Sequence, residues 1–291
     1  MIIVSLNSGL GNQMFQYAAG KALAARHNTS LKLDLSWYEV NAFRRCQLHH
    51  FAITASKASE REKKTLSAEY DGILKRTVRR IAGKKTTGQK YREAHFNFDP
   101  ELFHCGKNTW IEGYWQSEKY FGAISQDIAR EFRIRTPLSA KSIETKKRIG
   151  NTESVSVHVR RGDYIAKDSR KRIHGPLEFS YYTRALDIIA RNTRSPYLFV
   201  FSDDIPWVKK NLCFQYPVWY VDHNDENTGF EDLHLMSGCR HNVIANSTFS
   251  WWGAWLNRNP SKIVIAPNQW FPDPDMNKLT GDLIPDSWIK L

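Results

Sequence analysis

Paired cysteines are missing from this 291-residue chain. Its four, Cys46, Cys105, Cys213 and Cys239, show no CxxC spacing and no paired pattern. That sets aside a disulfide framework and a zinc ribbon, and it fits a reducing compartment. Long apolar runs are missing too. Met1 leads straight into the strand-like Ile2-Ile3-Val4, with no basic leader, membrane-length stretch or cleavage site after it. A soluble, cytoplasmic protein is therefore expected, and the sequon letters at Asn28 and Asn246 then carry no glycan. There is no GxSxG elbow, no HExxH and no Walker A sequence, so the commonest hydrolase, metalloprotease and P-loop chemistries have nothing to stand on. Internal repeats and low-complexity tracts are also absent.

Acidic residues are in short supply, and the shortage is local. Formal net charge is +12, and between Lys57 and Arg92 twelve Lys/Arg face four Asp/Glu, a net of +8. Nucleic acid, an anionic membrane surface or an acidic carrier can each use such a patch, and a merely solvated face explains it equally well. What is plentiful is aromatic: 13% of residues, with ten tryptophans. Rings in that number serve either as core filling or as platforms for sugars and bases.

The order of elements indicates an α/β protein. Ile2–Leu6 reads as a strand, Asn7–Asn12 as a turn with two glycines, Gln13 to about His27 as a helix, and Leu31–Leu35 as a second strand. Strand, glycine loop, helix and strand form a βαβ unit, although the loop lacks GxGxxG. Residues 36–92 are harder to read, with helical character over Glu60–Tyr70 and Asp71–Ile81 and a basic break at Gly83–Gly88. Thr109–Tyr114 is the next clear strand, followed by a helix over Ser125–Phe132. In the second half, strands at Val155–Val159, Tyr197–Phe201, Val218–Val221, Asn242–Ala245 and Ile263–Ala266 alternate with helices at Phe179–Asn192, Ile205–Leu212, Glu231–Cys239 and Phe249–Leu256. Short apolar strands separated by helices imply a parallel, doubly wound sheet. Two Rossmann-like domains facing a cleft is the economical arrangement. The boundary falls in the polar stretch 137–152, giving domains 1–150 and 151–291. Residues 267–291 read as an irregular tail that packs back by its tryptophans.

The chemistry concentrates in Val155-Ser156-Val157-His158-Val159-Arg160-Arg161-Gly162-Asp163-Tyr164. An apolar, β-branched strand ends here in two arginines, a glycine and a carboxylate. Ligands of open α/β sheets sit at that end of the strands. Guanidinium forks there suit a phosphate and can stabilise a departing diphosphate without a metal. Because side chains alternate along a strand, one arginine can face the ligand while the other holds the loop, with Asp163 as its partner. The second constellation is Asn246-Ser247-Thr248-Phe249-Ser250-Trp251-Trp252, where small polar residues cap a helix, bind phosphate at its N-terminus, or do both. Trp251, Trp252 and Trp255 are core or aromatic wall, with core favoured. Asp203-Asp204, Asp222-His223-Asn224-Asp225 and Glu231-Asp232 flank strand ends, but they lack the spacing of a metal-nucleotide site, and Asp273 and Asp275 bracket Pro274 as turn chemistry. No metal is assigned. Asp232 can accept hydrogen bonds from a guanine edge or be a solvated helix-start acid. His174 and His223 are candidate acids or bases, and a lone histidine is more often structural.

Three blocks of this sequence resemble the signature blocks of the α-1,2-fucosyltransferases: Gly9-Leu10-Gly11-Asn12-Gln13-Met14-Phe15-Gln16-Tyr17, His158 to Tyr164, and Asn246 to Trp252. They lie in the same order, and the resemblance spans almost the whole chain. The arginine block is shared more loosely with α-1,6- and protein O-fucosyltransferases. The resemblance implies a GT-B type glycosyltransferase that moves L-fucose, with inversion, from GDP-β-L-fucose to O-2 of a galactose, with no metal or other cofactor. It implies a donor site of Gly11, Asn12, His158, Arg160, Arg161, Asp232, Ser247, Thr248 and Ser250. Arg160 and Arg161 act on the leaving group, and Asp163, the only carboxylate in the loop, is the candidate base or an orienter of an arginine. The domain 1–150 then takes the acceptor and 151–291 the donor. The acceptor is a galactose-terminated oligosaccharide or a lipid-linked saccharide. Because animal members carry a membrane anchor, a chain without one suits a bacterial enzyme, with segment 57–92 available for peripheral contact at the inner membrane. The rival readings are a GDP-sugar transferase of different sugar or linkage, and a non-catalytic basic protein that binds glycan or nucleic acid.

Overall fold

A computed structural model describes residues 1–41, 43–67, 89–161 and 175–291. The chain divides into two compact units, Met1–Arg133 and Ile134–Leu291. The first holds a five-stranded sheet of β1 (Ile2–Ser5), β2 (Leu31–Asp34), β3 (Ser56–Lys57), β4 (Gln89–Arg92) and β5 (Thr109–Glu112). Every pairing in it is parallel, and the order is β3-β2-β1-β5-β4. Its helices are α1 (Leu10–Arg26), α2 (Ser36–Val40), α3 (Glu60–Ser67) and α4 (Ser125–Glu131).

Helix α1 is buried nearly all round, which its run of Ala18, Ala19, Ala22, Ala24 and Leu23 permits. A small residue is required where it crosses the sheet: a Cβ on Gly20 would lie 2.9 Å from Leu31 Cδ1 and 3.1 Å from Val4 Cβ. Gly20→Val is therefore expected to destabilise the protein by about 2–3 kcal/mol through overpacking, read as a lowered denaturant midpoint at unchanged slope. One buried acid ties this layer together. Glu131 accepts the Tyr17 hydroxyl, takes Thr54 Oγ1 at 2.9 Å and pairs with Lys21 at 2.7 Å.

The second unit carries β6 (Glu153–Val159), β7 (Pro196–Ser202), β8 (Val218–Val221), β9 (His241–Val243), β10 (Val264–Ala266) and β11 (Ile289–Lys290). They are parallel throughout, in the order β11-β10-β9-β6-β7-β8. Helices α5 (Ala140–Gly150), α6 (Phe179–Ala190), α7 (Ile205–Asn211), α8 (Gly229–Gly238), α9 (Thr248–Leu256) and α10 (Pro274–Lys278) accompany them. Alternation along β7 feeds two cores: Leu198 and Val200 pack with Leu186 and Ile189 of α6 and Val208 of α7, while Phe199 and Phe201 pack with Leu235 and Met236 of α8 and Ile149 of α5. Strand β7, buried on both faces, reads as a continuous apolar run over Leu198–Phe201, whereas β6 alternates Val155, Val157 and Val159 with Ser154, Ser156 and His158, all of them buried.

The strand expectations of the second half hold to within a residue or two, and four points differ. Helix α5, placed before the boundary at 150/151, belongs to the second unit, because Ser139 at its start donates N–H and Oγ to Glu231 of α8 at 3.1 and 2.7 Å. The turn expected over Asn7–Asn12 is shorter, since α1 already begins at Leu10. Its left-handed residue is not a glycine: Ser8 has φ 63°, while Gly9 is extended at φ −82° with open space where a Cβ would go. The tail beyond 266 contains α10 and β11, and it does pack back through the buried Trp270 and Trp288. The strands β3 and β4 arise within a stretch the sequence left unread; the helix expected over Asp71–Ile81 and most of the basic segment 57–92 lie outside the described residues.

In the second sheet the strand order reverses once, between β6 and β9, whereas the first sheet runs β3-β2-β1 and then steps to β5-β4 without reversing. Loops leaving adjacent strands diverge at such a point, and open α/β sheets bind ligands there.

Candidate active site at the reversal of the second sheet

Two of the three singled-out blocks meet at the β6/β9 reversal. The arginine block leaves β6, and Asn246–Trp252 leaves β9 to open α9. The arginines are both anchored, in different ways. Arg160 pairs through Nε with Asp203 Oδ2 at 3.3 Å. Arg161 donates its backbone N–H to Asp203 Oδ1 at 2.9 Å and its Nη1 to Asp204 Oδ2 at 2.8 Å, and its guanidinium lies 4.0 Å from the centre of the Trp207 ring. Asp204 in turn caps α7 by accepting the Trp207 N–H at 3.1 Å. A charge-assisted bond plus a cation–π contact fixes Arg161 as a strut of the loop.

Asp203 and Asp204 thus act as counter-ions of the arginine pair. The partner expected for the loop arginine was Asp163; that residue lies outside the described part, as do Gly162, Tyr164 and His174. His158, buried at the end of β6, stands 5.9 Å from Phe249 of α9, ring centre to ring centre. The serine block divides. Ser247 and Thr248 are half-buried at the start of α9, where no side-chain cap bond forms. Ser250 is buried, and its hydroxyl donates to the carbonyls of Ser247 and Ala245 at 3.2 and 3.4 Å. Asn246 holds two segments by donating Nδ2 to Gly175 O at 3.0 Å and Trp270 O at 3.1 Å. Trp251 and Trp252 are fully buried and stack with Trp255 and Trp288, as core.

A second polar cluster lies farther along the same sheet edge, after β8. Asp232 sits in the first turn of α8 and accepts Asn224 Nδ2 at 2.6 Å. Burial pushes its carboxyl up to about 7, partly offset by that bond and reinforced by the nearby Glu231 and Asp225. Glu231 goes the other way: desolvation works against its charge, but bonds from Ser142 and Ser139 outweigh it and hold the carboxyl below its ordinary range. His223 meets Ser142 Oγ at 2.9 Å, and desolvation lowers its pKa despite Glu231. A half-buried acid of shifted pKa beside a carboxamide is suited to reading the N–H edge of a base. Gly11 and Asn12 belong to α1 of the first unit, where Asn12 Oδ1 accepts Gln116 Nε2 at 3.0 Å. Among the described residues no group of three His, Cys, Asp or Glu is placed to hold a metal.

The family described as "Glycosyl transferase family 11" matches residues 1–291. The chain belongs to it. A protein of Escherichia coli named alpha-1,2-colitosyltransferase is 32% identical over 300 residues, covering 100% of this chain and 99% of its own. The E. coli O-antigen biosynthesis glycosyltransferase WbnK is 34% identical, covering 98% and 99%. A galactoside 2-alpha-L-fucosyltransferase of Caenorhabditis elegans is 30% identical, over 68% of this chain and 57% of its own. Among solved structures, the fucosyltransferase NodZ from Bradyrhizobium superposes with a TM-score of 0.50 at 14% identity, covering 87% of this chain and 91% of that one. The two parallel α/β units are those of a GT-B glycosyltransferase, as expected from the sequence, and no described helix is long and apolar enough to cross a membrane.

Proposed function

We propose that this family 11 glycosyltransferase moves L-fucose from GDP-β-L-fucose to O-2 of a galactose, and that the second unit holds the donor. The observation that carries this is the pairing, along one sheet edge, of an arginine at the strand reversal with a desolvated carboxyl, Asp232, held by Asn224 at the start of α8. Arg160 neutralises the β-phosphate as the anomeric C–O bond breaks. Arg161, with Asp203 and Asp204 behind it, keeps the loop in place. Ser247, Thr248 and the N-terminus of α9 support the diphosphate from the other side, and Asp232, held by Asn224, accepts guanine N1–H and N2–H. The acceptor hydroxyl attacks from the opposite face and gives up its proton to a base, for which Asp163 is the candidate. No metal is invoked, because the guanidinium supplies the positive charge. The acceptor is a galactose-terminated oligosaccharide or lipid-linked saccharide, and the basic segment 57–92 suits an anionic carrier at a membrane surface.

A second reading keeps the chemistry and changes the sugar. It is favoured by the full-length likeness to a colitosyltransferase. The two separate in one assay: purified protein is given GDP-fucose, other GDP-linked deoxysugars, UDP- and ADP-sugars, and a β-galactoside panel with and without EDTA, and the linkage is determined. The expected result is α-1,2-linked fucose on galactose, undiminished by EDTA. Turnover with UDP- or ADP-sugars but not GDP-sugars refutes the base-reading role of Asp232.

A further inference from the structure

Asp232 and Asn224 do not stand alone. Behind them lies a chain of polar groups that the donor reading leaves without a task, and it begins at the adjacent residue. Glu231 is buried yet held ionised, because Ser139 at the start of α5 gives its Oε2 an N–H at 3.1 Å and a hydroxyl at 2.7 Å, and Ser142 adds a further hydroxyl bond. Ser142 is itself fully buried. Its N–H closes the first turn of α5 on Ser139 Oγ at 3.3 Å, and its own hydroxyl also faces the loop after β8. There it meets His223 Nε2 at 2.9 Å and stands 3.5 Å from Asn224 Nδ2.

Proton counting fixes the direction of every bond in this chain. A carboxylate only accepts, so the single proton of the Ser142 hydroxyl goes to Glu231. The hydroxyl oxygen then accepts from its other neighbours. His223 must carry its proton on Nε2, and Asn224 must turn its amide nitrogen, not its carbonyl, toward Ser142. That same nitrogen donates to Asp232 Oδ1 at 2.6 Å. Reversing the carboxamide would set its carbonyl against two acceptors at once, the Ser142 oxygen and the Asp232 carboxylate, losing the bonds and adding repulsion. The charge of Glu231 thereby orients a carboxamide through the hydroxyl between them.

We propose that Ser142 is a positioning residue for the base-reading acid, with His223 in support: it converts the buried charge of Glu231 into a fixed orientation of Asn224, and so of Asp232, and the preference for guanine depends on it. The consequence is chemical as well as geometric. An N–H from Asn224 favours the ionised form of Asp232, against burial and against the like charges of Glu231 and Asp225. Without a fixed donor the acid takes up a proton at neutral pH, and a protonated oxygen sets a donor against guanine N1–H.

This assignment rests on the donor reading above, and the experiment tells the two apart. Ser142→Ala removes one oxygen and leaves the packing nearly unchanged. The Kd for GDP is expected to rise about tenfold, as for a lost bond in a charged network, while the Kd for ADP, which keeps the diphosphate but lacks the guanine N–H pair, stays within about twofold. The ratio of the two decides, whatever the melting temperature does. A purely structural Ser142 predicts a lowered melting temperature with that ratio unmoved, and this result overturns the assignment. The unaltered protein supplies an independent reading by NMR. At about pH 8 the His223 ring is neutral, because desolvation and Lys141 outweigh Glu231, Asp222 and Glu144. Its ring nitrogen shifts are expected to report the Nε2–H tautomer and to move on adding GDP but not ADP. The Nδ1–H tautomer, or a ring indifferent to GDP, refutes the chain. If the unaltered protein binds GDP no better than ADP, the donor reading itself fails, and the assignment with it.

Discussion

Replacing Arg160 by alanine is expected to lower kcat/KM for the GDP-sugar by about 10³-fold, because a fixed cation aimed at a developing negative charge is worth about 10²–10³ or more in rate. Arg160→Lys should recover only part of this, since an ammonium is a point charge without the guanidinium fork. Arg161→Ala is predicted to differ in kind. Its guanidinium is already committed to Asp204 and to the face of Trp207, so its loss should lower the melting temperature by several degrees and cost about tenfold in turnover through a loosened loop. Steady-state kinetics beside thermal unfolding separates the two. A full effect on kcat from Arg161→Ala with no change in stability would reverse the assignment. Asp203→Asn should resemble a weakened Arg160, because Asp203 receives both the Arg160 Nε and the Arg161 N–H on its two oxygens.

The second large effect concerns Asp232, and its sign follows from its environment. The carboxyl is raised to about 7, chiefly by desolvation. In the unliganded protein it is therefore neutral below that pH and ionised above it. Guanine recognition through two accepted N–H bonds needs the carboxylate. GDP affinity should accordingly rise with pH, by up to tenfold per unit below about 7, and level off above it. The free fold responds in the opposite direction. A carboxyl whose folded pKa lies above its unfolded value loses stability as pH climbs from the ordinary carboxylate range to about 7, so the melting-temperature gain produced by GDP should widen across that interval. Asp232→Asn should remove the pH dependence and raise the Kd for GDP about a hundredfold or more, because an amide sets a donor against the guanine N–H edge. Calorimetric titration between pH 5.5 and 8.5 checks both statements. A flat profile in the parent protein would detach Asp232 from the base.

Much of the second unit was legible before any coordinate. Strand β7 announced itself by an unbroken apolar run and β6 by its alternating valines, and the arginines stand at a strand end as the letters suggested. The identity of their partners was not legible. Asp203 and Asp204 follow a strand forty residues away, and only the parallel pairing of β6 with β7 brings them beside Arg160 and Arg161. The signal was a doubled acid just past the next strand, which invites thoughts of a metal as easily as of a counter-ion. Asn224 was named only as part of an acidic cluster, because its value lies in one bond to Asp232. The sequence did not show that the Ser250 hydroxyl turns back to the Ser247 carbonyl, a bond a hydroxyl early in a helix makes readily. In the glycine block the sequence drew attention to Gly9 and Gly11, whereas the fastening is done by Asn12, Gln13 and Gln16, whose partners at 116, 47 and 113 only the tertiary structure reveals.

The position of each central strand also governs how the polypeptide reaches this architecture. Ile2 is aligned with Thr109, and Val155 with His241, so neither sheet can close around its middle strand until a long intervening stretch has been synthesised. During translation β1 and then β6 wait with an open edge exposed. Such distant pairing slows folding and gives aggregation time to compete. Recombinant yield should therefore respond more to growth temperature and chaperone supply than to any substitution on the molecular surface.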